Sequence, residues 1–240
     1  MKTRIVLTQN VAALNDAGEA LLRRAPGMPG MGLVHGETGY GKTTAITWHA
    51  NRVNAVYVRA LATWTPAAML RALCRELGRA PRGSCSLMMD DVIEALALSG
   101  RPLYVDEADY LVDSKKMSES LRDMHDMATV PVILVGMHGI DQRIAHRKQL
   151  TGRILQDVRF QPLSVEDTQK IASELCEVKV SADLLKTVHE RSMGSTRLVV
   201  VALGRIEQAA RSLGADSLDL AGWGKRDLFT GEAPRNGASK

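Results

Sequence analysis

The sequence predicts an α/β fold built on a parallel sheet, and three observations carry that prediction. Short apolar runs recur at residues 32–35, 55–58, 103–105 and 132–135, with a weaker one at 158–160. None alternates strictly between apolar and polar residues, which is how a strand buried on both faces reads. Stretches with helical spacing lie between them, near residues 42–52, 66–77, 87–98, 117–127 and 140–146. Strand and helix taking turns along a chain give a parallel sheet flanked by helices.

Segments of other character flank this core of residues 31–162. Residues 1–30 read as a leader, with a helix over 11–24 followed by the turn-rich Pro26-Gly27-Met28-Pro29-Gly30. After Pro162 the spacing is helical at 164–175, 182–191 and 196–213 with no strand between, so residues 163–223 are expected to form a small helical subdomain. Ser164, three residues before Asp167, and Ser181, three before Leu184, stand where N-caps stand. The end, residues 224–240, is polar and rich in Gly and Pro, and is expected to be mobile.

Composition narrows the class. With 45% hydrophobic and 24% charged residues the chain of 240 can bury a sizeable core, and with 4% aromatics that core is mostly aliphatic. The net charge of +4 permits a polyanionic partner without requiring one. Cys74, Cys85 and Cys176 form no CxxC pair and read as reduced thiols. No apolar run approaches the roughly 20 residues that cross a bilayer, and the apolar patch after Met1-Lys2-Thr3-Arg4 is too short for a signal peptide; the expected location is cytoplasmic, with no membrane partner.

The chemistry starts at Gly36-Glu37-Thr38-Gly39-Tyr40-Gly41-Lys42-Thr43, which fits G-x-x-x-x-G-K-[ST] in full. Leu33-Val34-His35 leads in as a strand and Thr44-Ala45-Ile46-Thr47-Trp48 leads out as a helix. Glycines let the backbone turn its N–H groups toward phosphate oxygens, and the helix adds its positive end. Residues 36 to 44 are therefore the expected ATP contacts, with Lys42 on the β- and γ-phosphates and the Thr43 hydroxyl on Mg²⁺. The partner element is Pro102-Leu103-Tyr104-Val105-Asp106-Glu107, an apolar strand ending in two acids. Asp106 would hold the Mg²⁺ through water and Glu107 would orient and deprotonate the attacking water. The letters at 106–109, Asp-Glu-Ala-Asp, invite a helicase reading. It is rejected, because such helicases need two recombinase-like domains and a Ser-Ala-Thr element that this chain lacks.

A P-loop core followed by a helical lid resembles the AAA+ ATPases. In that resemblance Gly194-Ser195-Thr196-Arg197 is similar to the sensor-2 motif, which implies that Arg197 reaches the γ-phosphate. An arginine acting in trans is implied between the fourth and fifth strands, where Arg153 is the candidate and Arg143 and Arg147 compete. Sensor 1 is implied after the fourth strand, where His138 takes the place of the usual Asn or Thr.

A narrower resemblance rests on Leu7-Thr8-Gln9-Asn10-Val11, on residues 29–36, and on Val56-Tyr57-Val58-Arg59-Ala60 with Thr63-Trp64-Thr65-Pro66. These resemble the B proteins of Mu-like transposable phages, over roughly residues 5–215. That likeness implies ATP-dependent binding of double-stranded DNA with little sequence preference, a homo-oligomer or helical filament, and delivery of target DNA to a phage transposase that stimulates hydrolysis. The Mu protein has a helix-turn-helix domain before its ATPase where this chain has about thirty residues. DNA contacts are therefore expected on the ATPase itself, with Arg59, Arg79, Arg82, Lys115, Lys116, Arg147 and Lys148 as candidates for backbone phosphates. Few aromatics argue against base stacking on single strands.

The remaining polar and aromatic residues read as structural. The histidines show no metal-ligand spacing, and Trp48, Trp64, Trp223 and the helix face of Met117, Met124 and Met127 read as packing. Two other functions compete: a helicase loader or initiator-like ATPase acting on single strands, and a protein-remodelling switch with no DNA role.

Overall fold

The computed structural model describes residues 1–229. They form two compact units, one of residues 13–38 and 42–160, the other of residues 1–12, 39–41 and 161 onward. Up to residue 160 the elements are α1 (Gln9–Leu22), β1 (Met31–His35), α2 (Lys42–Arg52), β2 (Val56–Arg59), α3 (Pro66–Glu76), α4 (Cys85–Ser99), β3 (Leu103–Asp106), α5 (Asp109–Val112), α6 (Lys115–Ala128), β4 (Val132–Val135), α7 (Ile140–Ala145), α8 (Lys148–Thr151) and β5 (Ile154–Arg159).

All five strands form one parallel sheet in the order β2-β3-β4-β1-β5. The apolar runs read in the sequence are its strands. The last begins earlier than expected, at Ile154. As an edge strand β5 is only half covered, so Gln156, Asp157 and Arg159 interrupt its apolar signal. The first unit's core lies on one face, where Met31, Leu33, Val56, Val58, Leu103, Val105, Val132 and Leu134 pack with residues of α3 to α8. On the other face Leu21 of α1 lies against Gly32, and His49 of α2 reaches Tyr104. Covering both faces is what lets the fully buried β1, β3 and β4 read as apolar runs.

Local signals set several boundaries. Thr65 accepts a hydrogen bond from the Ala68 N–H and Pro66 opens α3, the pairing of cap and first-turn proline that starts a helix cleanly. In α6, Met117 and Met124 are buried, but Met127 is 64% exposed, so only two of the three methionines expected on one face pack into the core. About three turns along the helix Met127 has rotated past the edge of the buried stripe.

A buried polar pair joins α2 to the sheet. The Tyr104 hydroxyl and His49 Nδ1 are 2.7 Å apart, and both side chains are almost wholly buried. The other ring nitrogen, Nε2, is buried without a partner. A methyl group on Gly18 would come within 2.4 Å of this ring, so α1 can lie here only with glycine.

In the second unit the elements are α9 (Val165–Leu175), β6 (Lys179–Val180), α10 (Ala182–Ser192), α11 (Thr196–Ser212), β7 (Ser217–Leu218) and α12 (Leu220–Trp223). The Ser164 hydroxyl caps α9, 3.0 Å from the Asp167 N–H. Ser181 does not cap α10 in this way. Its hydroxyl donates to the Asp183 carboxylate, which itself accepts the Leu184 N–H at 2.9 Å. The expectation of helices alone is also corrected, because β6 and β7 pair in parallel. Two residues each, with Lys179 and Ser217 among them, are too few to give a period in the sequence.

Both ends of the described chain belong to this unit's core. Val6 packs with Leu163, Ile171, Leu184, Val199 and Leu203, so the first dozen residues are no detached leader. Leu228 and Phe229 are buried in the same cluster, which corrects the mobile tail at residues 228 and 229; its remainder, residues 230–240, lies outside the described residues.

Two stability effects follow. Leu228→Ala should lower unfolding free energy by about 2–4 kcal/mol in a urea titration, as for a buried leucine with little room to relax. Burial holds His49 below its ordinary value of 6.5. The unfolded chain therefore takes up a proton near pH 6.5 that the folded chain refuses. This contribution is fully present above that pH and is lost as pH falls below it, by at most ~1.4 kcal/mol per unit. The urea midpoint should drop between pH 7.5 and 5.5, and drop less steeply in His49→Gln.

Candidate nucleotide site

In a parallel sheet all strands end on one edge, and loops there form the ligand crevice. Here β4 lies between β1 and β3. The loop after β1, the acids ending β3 and the turn after β4 are thus neighbours by strand order alone.

The loop after β1 bends sharply, with positive φ at Gly36 (149°), Gly39 (91°) and Gly41 (86°). Gly36 also passes close to β5: a methyl group there would sit 2.6 Å from the Phe160 carbonyl oxygen. Lys42 folds back over the loop, its Nζ 2.6 Å from the Gly36 carbonyl and 2.9 Å from that of Glu37. Burial pulls this ammonium below the ordinary lysine value, while Asp106, Glu107, Asp109 and Glu37 pull it back up. Thr43 and Thr44 are exposed at the start of α2. Thr38 lies beside the turn after β4, with its hydroxyl 3.8 Å from the Met137 sulfur.

At the end of β3, Asp106 is buried, and among the described residues it forms no direct ion pair. Its Oδ1 accepts the Glu107 N–H at 2.9 Å and its Oδ2 accepts the Tyr57 hydroxyl at 3.0 Å. Burial, and then Asp106, push the Tyr57 phenol up to about 12, so it remains a donor at neutral pH. Glu107 turns off the strand with φ of 55°, unusual for a residue with a side chain. Its Oε1 is 3.1 Å from Arg59, and with Arg59 57% exposed this pair is a weak, exchangeable one. One expected DNA contact is thereby placed at the acidic end of β3.

Asp109 ties β3's end to that of β4. Its buried carboxylate accepts the Met137 N–H at 2.8 Å and pairs with Arg143, which also reaches Asp113 at 3.1 Å. A methyl group on Gly136 would come within 2.6 Å of Asp109, so the approach depends on glycine there. His138 follows, exposed, one residue beyond this anchor. The arginines proposed to act in trans are engaged within the chain: Arg153 pairs with Asp126 at 2.8 Å, holding that carboxyl below its usual range, and Arg147 donates to the Asp113 carbonyl at 2.8 Å. In the second unit the Arg197 N–H donates to the Gly39 carbonyl at 3.0 Å, and its side chain is exposed.

The other basic candidates fall into two groups. Arg147 at the Asp113 carbonyl brings Lys148 to the edge where exposed Lys115 and Lys116 open α6. Arg79 and Arg82 lie in the α3–α4 connection instead.

Sequence reading passes over Tyr57 and Asp109. Tyr57 is hidden inside an apolar run, although Tyr57 and Arg59 at period two mark a shared face. Asp109 is visible as the last letter of the acidic tetrad but has no separate signal.

The donors gathered here suit a nucleotide with Mg²⁺: a glycine-rich turn before a helix, an ammonium, and hard hydroxyl and carboxylate oxygens. Residues 27–144 match the family described as AAA domain. Among curated proteins none matches. Solved structures similar to the chain include Cdc6p of Pyrobaculum aerophilum, at 19% identity and TM-score 0.65 over 87% of this chain and 63% of that one. The ORC1 protein of Aeropyrum pernix, in complex with DNA, matches at 17% and 0.62 over 90% and 64%. The Thermotoga maritima RuvB Holliday junction branch migration motor matches at 19% and 0.62 over 90% and 67%. The chain thus spans less than two thirds of the length of the first two. Strand order, loop and family match together give the chain the P-loop AAA+ fold, with an AAA domain matched over residues 27–144.

Proposed function

We propose that the chain is an ATP-dependent DNA-binding ATPase whose nucleotide site is the loop of residues 36–43 with Asp106 and Glu107. The observation that carries this reading is the placing of that loop and those acids at the same edge of the sheet, one strand apart. Residues 36 to 44 would cradle the phosphates, and Lys42 would exchange its two loop carbonyls for phosphate oxygens. Bound Mg²⁺ would supply charge neutralisation between the β- and γ-phosphates, held by Thr43 and, through water, by Asp106. Glu107 would take the proton of the water attacking the γ-phosphorus, once its carboxylate leaves Arg59. His138 and Arg197 are the proposed sensors of that phosphate. Since Arg153 is paired with Asp126, a role in trans would require it to give up that partner.

DNA binding is proposed at Lys115, Lys116, Arg147 and Lys148, which share an edge and would neutralise backbone phosphates without reading bases. On the resemblance to the Mu-like B proteins, many copies would assemble on duplex DNA as a filament and present it to a transposase. A replication-associated role is the second reading, and it is favoured by the likeness to Cdc6p and to an ORC1 protein bound to DNA.

Nucleotide binding by Lys42→Ala should be abolished, and Glu107→Gln should bind ATP normally while hydrolysing it about 10²- to 10⁴-fold more slowly; equilibrium binding and phosphate release measure both. Wild-type hydrolysis unaffected by Glu107→Gln would remove Glu107 from the reaction. Electron microscopy with ATP should show assemblies on duplex DNA that are absent with Lys42→Ala. The double variant Lys115→Ala/Lys116→Ala should weaken duplex binding uniformly across sequences and flatten the salt dependence by roughly two units of slope. A preference for single strands and no response to transposase would favour the replication reading, and no DNA-bound assembly at low salt would leave a protein-directed switch.

A further inference from the structure

Asp106 and Thr43 are the two protein groups assigned to Mg²⁺, and they come from different elements, the end of β3 and the start of α2. Nothing in a parallel sheet fixes the distance between a strand end and the helix packed over it. Each end accepts a hydrogen bond from a neighbouring hydroxyl. The Thr47 hydroxyl, one turn along α2, donates to the Thr43 carbonyl at 2.8 Å. At the other end, the Tyr57 hydroxyl of β2 donates to Asp106 Oδ2 at 3.0 Å.

Register explains why a tyrosine of β2 can do this. Tyr57 stands opposite Tyr104, and Arg59 opposite Asp106. Tyr57 is thus diagonal to Asp106 on the same face, a separation that a long aromatic side chain spans. Val56 and Val58, pointing the other way, go to the core. The second carboxylate oxygen is fixed by the Glu107 N–H, so the Asp106 plane is held at both oxygens by neutral donors. A neutral donor orients the carboxylate without cancelling the charge that a cation needs.

We propose that Tyr57 is a positioning residue for Mg²⁺, its hydroxyl fixing the orientation in which the Asp106 carboxylate would meet the ion. This rests on the nucleotide-site reading above. Outer-shell partners of this kind are worth roughly 10- to 100-fold in metal affinity.

The test is binding of a fluorescent ATP analogue to the full chain, in EDTA and across a MgCl₂ titration, for wild type, Tyr57→Phe and Tyr104→Phe. Tyr57→Phe should keep the affinity measured in EDTA and lose about tenfold or more of the gain that Mg²⁺ brings. Tyr104→Phe removes the neighbouring hydroxyl, the one on His49, and should retain the gain. An unchanged Mg²⁺ gain in Tyr57→Phe, or an equal loss in both variants, overturns the proposal while leaving the nucleotide site standing. Wild-type protein that binds the analogue with no Mg²⁺ gain overturns both. If Tyr57→Phe does not fold, Tyr57→Leu removes the same hydroxyl, and the same titration decides.

Discussion

Parallel pairing is the constraint on which the rest of this molecule depends. Two parallel strands cannot be joined by a tight turn, so each return crosses the sheet and every strand finishes on the same edge. With β4 inserted between β1 and β3, the ends of those two strands are two spacings apart, roughly 10 Å. That gap matches the span of phosphate groups with a hydrated ion. The chemistry is thus assigned to an edge by topology before any side chain is chosen.

Side chains then settle an electrostatic problem that the edge creates. Asp106 and Asp109 are both buried close to Lys42. Each has a peptide N–H, from Glu107 and Met137 respectively, but the second partner differs. Asp109 is paired with Arg143 and so is committed to structure. Asp106 has only a phenol and stays available to a cation. Two carboxylates three residues apart acquire different tasks from the charge of one neighbour, because a carboxylate whose hydrogen-bond donors are neutral keeps its charge for a cation.

Much of this was legible in the sequence. The five strands, the helices between them and the glycine-rich turn are local patterns, and local patterns survive in one dimension. The acids at 106 and 107 could be located because a strand announces its own end. What escaped is pairwise. Tyr57 meets Asp106 across 49 residues and Asp109 meets Met137 across 28, and neither separation leaves a mark in the chain. The two-residue β6 and β7 failed for another reason, being shorter than any period. Ser181 failed because the Asp183 carboxylate, two residues on, accepts the Leu184 N–H that a capping hydroxyl would take.

The second unit draws on both ends of the described chain, with Val6 packed among residues from 163 to 229. During synthesis the segment around Val6 leaves the ribosome well before the residues from 163 to 229 with which it packs. At ~5–20 residues per second the wait is roughly ten to forty seconds. The sheet unit, complete by residue 160, can fold within that interval. Assembly of this chain in the cell is therefore ordered by translation, and the segment around Val6 finds its place only after the sheet unit has been made.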